Sequence, residues 1–97
     1  MPTREVPASF WRGWARLTPE QRQQFRAAAG KFVDDLKAGA GFRASLRVKG
    51  VRGAPGVYEL TWAPDGRATF EYGRSVRTGE PHIRWRRIGT HAILRQP

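Results

Sequence analysis

The residues best equipped for chemistry share one segment, HIRWRRIGTH at positions 82–91, where two histidines flank Arg84, Arg86 and Arg87 with Ile83, Trp85 and Ile88 between them. Imidazole ordinarily titrates near neutrality, so His82 or His91 could give or take a proton. Guanidinium stays charged and grips phosphate oxygens through two parallel N–H groups. The same alternation also describes an ordinary strand with a solvated side. The segment is either that or one wall of a site that holds a polyanion. Arg67, Glu59 and Glu71 offer compatible chemistry and lie in alternating segments of their own.

What must position these groups is a chain of 97 residues, enough for one modest core and too little for separate catalytic and recognition domains. The charge is +10, with 15 arginines among the 18 basic residues, a balance that draws nucleic acid at long range. It is unevenly spread. Residues 1–42 hold seven basic and four acidic groups, residues 43–97 eleven and four, so the polyanion is expected on the second half. There are no cysteines, which excludes disulfides and thiolate metal sites, and two distant histidines do not make a metal centre. No metal or cofactor is expected. No stretch approaches the roughly 20 apolar residues of a membrane span, and MPTREVPASF at the start has no long apolar run, so a cytoplasmic protein without membrane contact is expected.

Residues 1–8, with two prolines, read as a loose tail ahead of a single domain over 9–97. From Ser9, a candidate N-cap, Phe10, Trp11, Trp14 and Leu17 recur at helical spacing despite Gly13. TPEQ at 18–21 supplies a Thr cap, a Pro at the first helical position and the Gln of a capping box. Phe25, Ala28, Ala29, Phe32, Val33 and Leu36 then trace an apolar stripe that stops near Gly39.

Beyond Gly41 the period becomes two. RASLRVKG sets Leu46 and Val48 against Arg47 and Lys49, with Arg43 and Ser45 on the charged side. GVYELTW alternates through Tyr58, Leu60 and Trp62. An APDG turn leads into RATFEYG, with Ala68, Phe70 and Tyr72 on one side, and a connection at 73–81 leads to the opening segment. The expected architecture is α+β, two N-terminal helices packed on one face of a three- to four-stranded antiparallel sheet. The other face gathers Glu59, Thr61, Arg67, Thr69, Glu71, Arg84 and Arg86 and should be left uncovered by helices. Arg87 points to the apolar side of a regular strand, and a bulge between Trp85 and Ile88 would turn it to the arginine face. The four tryptophans could stack on bases, although their spacing fits a core. His82, directly after Pro81, reads as structural or exposed, and GAPG at 53–56 is a turn rather than a phosphate loop.

A helix pair, then VKG at 48–50, GVYEL at 56–60, DGRATFEY at 65–72 and IRWRRIG at 83–89, in that order, resembles the RelE/ParE-like superfamily of bacterial toxins over residues 19–95. The resemblance implies the toxin of a type II toxin–antitoxin system, an endoribonuclease that cuts mRNA, often on the ribosome, and is silenced by an antitoxin. Members usually begin with a strand, which residues 1–17 do not suggest. Thr69 stands where an Arg is common, with Arg67 as the nearest substitute. The YoeB branch's base, a Glu near the first basic strand, has no counterpart in RASLR, whereas its C-terminal His has one in His91. The ParE branch poisons gyrase without cutting RNA.

Cleavage through the RNA's own 2′-OH needs a base for that hydroxyl, positive charge on the phosphorane and an acid for the leaving 5′-oxygen. Arg67, Arg84 and Arg86 are the expected clamp and His91 the expected acid. Glu59 or Glu71 could be the base or could be ion-pair partners of the arginines. Arg43, Arg47, Lys49, Arg52 and Arg87 are expected to track the RNA backbone, unless they are simply solvated. The alternative from another class is a non-catalytic binder, either a gyrase-directed toxin or a basic RNA-binding module.

Overall fold

A computed structural model describes residues 3–74 and 80–97. The chain runs β1 (Thr3–Glu5), α1 (Ala8–Ala15), α2 (Pro19–Ala38), a 3₁₀ turn (Ala44–Leu46), β2 (Lys49–Gly50), β3 (Val57–Thr61), β4 (Gly66–Gly73), β5 (His82–Thr90) and a terminal 3₁₀ turn (His91–Arg95).

The start of α2 follows directly from its sequence. Gln21 N donates to Thr18 Oγ1 at 3.1 Å while Thr18 N donates to Gln21 Oε1 at 2.9 Å, so two otherwise orphaned amides satisfy each other's residues. Gly39, at φ 70°, adopts the left-handed conformation that ends the helix. Phe25, Ala28 and Phe32 are buried along the expected stripe. α1 begins differently from expectation. Pro7 is its cap, with no side-chain hydrogen bond, and Ser9 instead donates from Oγ to the Arg86 carbonyl at 2.7 Å. Gly13 lets α1 touch the strand backbone, because a Cβ there would lie 2.1 Å from the Ile88 carbonyl oxygen.

The sheet has five strands in the order β1-β5-β4-β3-β2, and β1 runs parallel to β5 while the other pairs are antiparallel. This corrects the expected three- to four-stranded antiparallel sheet and the loose tail. Thr3, Arg4 and Glu5 carry no apolar alternation, and their partners His82, Ile83 and Arg84 are nearly eighty residues away, so no local pattern announces the strand. β2 is corrected as well. RASLRVKG turns at Ala44–Leu46, passes Arg47 in the left-handed region at φ 49°, and pairs only through Lys49 and Gly50. Leu46 is still buried, because a turn can deliver one apolar side chain to the core as a strand does. The Asp-Gly turn forms as expected, with Gly66 N donating to Ala63 O at 3.0 Å. Of the connection expected over 73–81, positions 75–79 lie outside the described residues.

The helices cover one face. Phe10, Phe25, Phe32, Phe70 and Trp85 meet there in edge-on and tilted contacts 4.9–5.8 Å between centroids. Trp62 and Trp85 are buried as core residues, Trp14 is half-buried and Trp11 is exposed. Tyr72, expected on the covered face, lies beyond the helices and is 47% exposed. Among the described residues no helix is long and apolar enough to cross a membrane, and no cluster of three or more His, Cys, Asp or Glu could hold a metal.

Candidate nucleic-acid interface

The arginine face is made by a bulge. Phe70 pairs with Trp85 and Thr69 with Arg87, so Arg86 is an extra residue in β5. Inserting one residue resets the alternation. Trp85 and Ile88, three apart, both face the core, while Arg84, Arg86 and Arg87 all face away from it. Arg87 thus lies where a bulge was expected to put it.

The face is held together by ion pairs and main-chain oxygens. Arg84 Nη1 reaches Glu71 Oε1 at 3.0 Å and Arg86 Nη1 reaches Glu71 Oε2 at 3.4 Å. On the other side Arg84 Nε lies 3.3 Å from Glu5 Oε2. Glu5 Oε1 is 3.0 Å from Nε2 of the buried His82, whose Nδ1 is 2.6 Å from Thr3 Oγ1. His82 is therefore a structural residue that ties β1 to β5. Arg86 Nε donates to the Pro97 main-chain oxygen at 3.0 Å and Arg87 Nη1 to the Gln96 carbonyl at 2.9 Å. These groups line an open cavity of about 790 Å³ that includes Glu5, Glu71, Arg84, Arg86, Arg87 and Pro97.

Contrary to expectation the face is not bare. The terminal 3₁₀ turn lies over the ends of β4 and β5, with Ile93 buried and its Cγ2 2.9 Å from where a Gly89 Cβ would stand. Glu59 and Thr69, expected to be exposed on this face, are buried at 6% and 0%.

The expected clamp is divided as a result. Arg67 donates from Nη1 to the Ala63, Pro64 and Gly66 carbonyls at 3.3, 3.2 and 3.0 Å, closing the β3–β4 turn, and its Nε lies 3.9 Å from Glu59 Oε1. Arg67 is thus held at the β3–β4 turn, whereas Arg84 and Arg86 lie towards the other end of the strands. His91 is exposed and follows Thr90, the partner of Gly66. Arg84 is the partner of Glu71, five positions along β4 from Gly66. At about 3.4 Å per residue His91 and Arg84 mark opposite ends of a face roughly 17 Å long. Arg87, opposite Thr69, lies between them.

The expected backbone-tracking residues also separate. Arg43 is bound to Asp35, with Nε to Oδ2 and Nη2 to Oδ1 both at 2.9 Å and its amide on Oδ2 at 2.9 Å. Those hydrogen bonds hold the Asp35 carboxyl well below the usual carboxylate range, at about 2. Arg47 and Arg52 are exposed, and Lys49 sits on the sheet edge opposite Glu59. Sequence reasoning missed Thr3, Glu5 and the main-chain oxygens of Gln96 and Pro97. Thr3 and Glu5 act on this face only through the pairing of β1 with β5, which the sequence does not announce.

A second surface lies on the helical side. β1, α1 and α2 border a groove of about 400 Å³ with Trp11, Trp14, Val33 and Leu36 along it and Arg4 and Arg26 at its rim. The guanidiniums of Arg26 and Arg22 sit over the Trp14 ring at 5.2 and 5.5 Å.

The sequence matches no protein-family model and no curated protein. Solved structures do share the fold. A chain of the Escherichia coli DinJ–YafQ toxin–antitoxin complex superposes with a TM-score of 0.65 at 17% identity, over 96% of this chain and 96% of that one. The YoeB/ParE toxin from Agrobacterium tumefaciens gives 0.63 at 13% identity, over 92% and 98%. A chain of the Methanococcus jannaschii RelB–RelE antitoxin–toxin complex gives 0.57 at 11% identity, over 93% and 93%. The fold is the one shared by the YafQ, YoeB/ParE and RelE toxins.

Proposed function

We propose that this chain, folded as those toxins are, is itself the toxin of a type II toxin–antitoxin pair and cuts mRNA as a metal-independent endoribonuclease, with the ribosome as the place of action. The observation that carries the reading is the bulge in β5, which lays Arg84, Arg86 and Arg87 along one face of a strongly basic chain. A single RNA strand along β5 would meet these in succession, each guanidinium replacing counterions on a phosphate.

The roles follow from position. Arg87 and His91 share the distal half of the face, so Arg87 holds the scissile phosphate and His91 protonates the leaving 5′-oxygen, while Arg84 and Arg86 hold neighbouring phosphates. This moves the clamp from Arg67 to Arg87. Both candidate bases carry an arginine: Glu71 is shared by Arg84 and Arg86, and Glu59 is enclosed beside Arg67. A phosphate that displaced Glu71 from its two guanidiniums would leave its carboxylate oxygens free to face the 2′-OH. The same engagement of both carboxylates favours the second reading, a non-catalytic binder acting on gyrase or on RNA.

An antitoxin belongs to the first reading. The groove beside Trp11, with arginines at its rim, suits an amphipathic segment carrying acidic residues.

Primer-extension mapping of an mRNA in a translating extract tests the proposal, with His91→Ala, Glu59→Gln, Glu71→Gln and a ribosome-free lane alongside. Discrete cuts that vanish with His91→Ala support the ribonuclease, and the glutamine variant that also abolishes them identifies the base. Absence of cuts in every lane rejects cleavage and leaves the binder.

A further inference from the structure

The bulge that carries this reading has to be held in register by something; Ser9 of α1 holds the Arg86 carbonyl from the helical side, and from the neighbouring strand β4 the side chain that reaches the bulge's main chain is Thr69. Opposite the bulge, the Arg87 amide donates to Thr69 Oγ1 at 3.1 Å. The same hydroxyl donates its proton to the Pro97 main-chain oxygen at 3.0 Å. Thr69 is fully buried, so its hydroxyl is shielded from water. Its β-branched side chain also has few rotamers to choose from. In an unbulged ladder Arg87 would take the core side and Ile88 would turn outward, because a shift of one residue exchanges the two faces of a strand.

We infer that Thr69 is a positioning residue whose hydroxyl, accepting from the Arg87 amide and donating to the Pro97 oxygen, selects the bulged register in which Arg86 and Arg87 share one face. The inference rests on the proposed RNA-binding role for its functional consequence, but not for its structural content. One oxygen thus orders two things at once, the spacing of the guanidiniums and the seat of the terminal segment that accepts from both of them. Valine keeps the shape of threonine and removes the acceptor and the donor together, and serine keeps both.

The test compares the wild-type chain, Thr69→Val and Thr69→Ser in two measurements. The first is hydrogen exchange of the Arg87 amide by NMR. The second is binding of a fluorescein-labelled single-stranded RNA oligonucleotide across a salt series. Thr69→Val is expected to speed exchange of the Arg87 amide at least tenfold, to weaken RNA binding about tenfold and to flatten the salt dependence by about 0.7 in log–log slope for a lost phosphate contact. Thr69→Ser should stay within about threefold of wild type in both. Unchanged amide protection in Thr69→Val overturns the inference, and so does weaker binding with an unchanged salt slope, which a merely loosened structure would give. If the wild-type chain does not bind RNA, the functional reading fails while amide exchange still decides the role of Thr69. If Thr69→Val does not fold, tenfold faster exchange in Thr69→Ser overturns the inference, and wild-type protection there sustains it.

Discussion

Replacing Gly13 by alanine should destabilise the fold even though alanine is the better helix former. Alanine in a helix interior is favoured over glycine by about 1 kcal/mol. Against this, the new Cβ would stand 2.1 Å from the Ile88 carbonyl oxygen and 3.2 Å from its carbonyl carbon and Cγ2. Relief requires α1 to withdraw from β5 by about 1 Å, a distance that forfeits a quarter to a half of each dispersion contact it makes. The Ser9 hydroxyl, now 2.7 Å from the Arg86 carbonyl, would leave hydrogen-bonding range, a loss of about 1 kcal/mol. Overpacking of this kind costs about 1–3 kcal/mol; the lost hydrogen bond adds about what the helical preference returns, so the net loss is about 1–3 kcal/mol. For a domain of this size that lowers Tm by roughly 5–20 °C. Gly30 is the internal control, since nothing lies within 4 Å of its Cβ position on the exposed side of α2. Gly30→Ala should raise stability by up to about 1 kcal/mol. Thermal and urea unfolding of both variants reads out the contrast. Equal stabilisation by the two alanines would falsify the backbone contact between α1 and β5, because helix preference alone would then account for both.

Thr18→Ala removes one half of the capping box and should cost about 0.5–2 kcal/mol in urea unfolding; a loss below a few tenths would mean that solvent replaces the cap. The Asp35 carboxyl is depressed to about 2 by Arg43, so its contribution to stability is full above the ordinary carboxylate pKa and disappears as pH falls from about 4 towards 2. Accordingly, Asp35→Asn should have a lower urea midpoint than wild type at pH 6, with a gap that shrinks to a small fraction as pH falls to about 2, and a gap that persists undiminished in acid would assign the effect to something other than ionisation. Glu71→Gln removes the carboxylate shared by Arg84 and Arg86 and, on the proposed function, should tighten RNA binding severalfold with a steeper salt dependence. Weaker binding would instead make Glu71 an aligner of the two arginines.

Local signals explain what could be read before the fold was known. α2 is legible because its cap, its stripe and its glycine stop all lie within 22 consecutive residues, 18–39. β3, β4 and the turn between them follow from alternation and Asp-Gly chemistry. The bulge was legible only as an option, because whether β5 inserts a residue depends on β4 rather than on β5 itself. β1 was invisible for the complementary reason, as its three residues have no face of their own and gain one only by pairing with His82–Arg84. The anchoring of Arg67 at the β3–β4 turn could not be foreseen. Three carbonyls of the turn compete for its guanidinium, and a main-chain oxygen leaves no mark in a sequence. Thr69 was marked as a departure from the superfamily pattern, but its partners, an amide in β5 and an oxygen at Pro97, come from elsewhere in the chain.

The position of β5 between β1 and β4 also bears on the order in which the chain can fold. β1 has no sheet partner among the described residues except β5, and α1 rests on β5 through Ser9 and Gly13. The N-terminal elements therefore have nowhere to dock until residues 82–90 are available, whereas β3 and β4 can form a hairpin early from neighbouring residues. β5, made after the other described strands, is also the strand that carries the arginines. On this account a partly synthesised chain would present neither a finished arginine face nor a closed aromatic core, and both would be completed in the same late step.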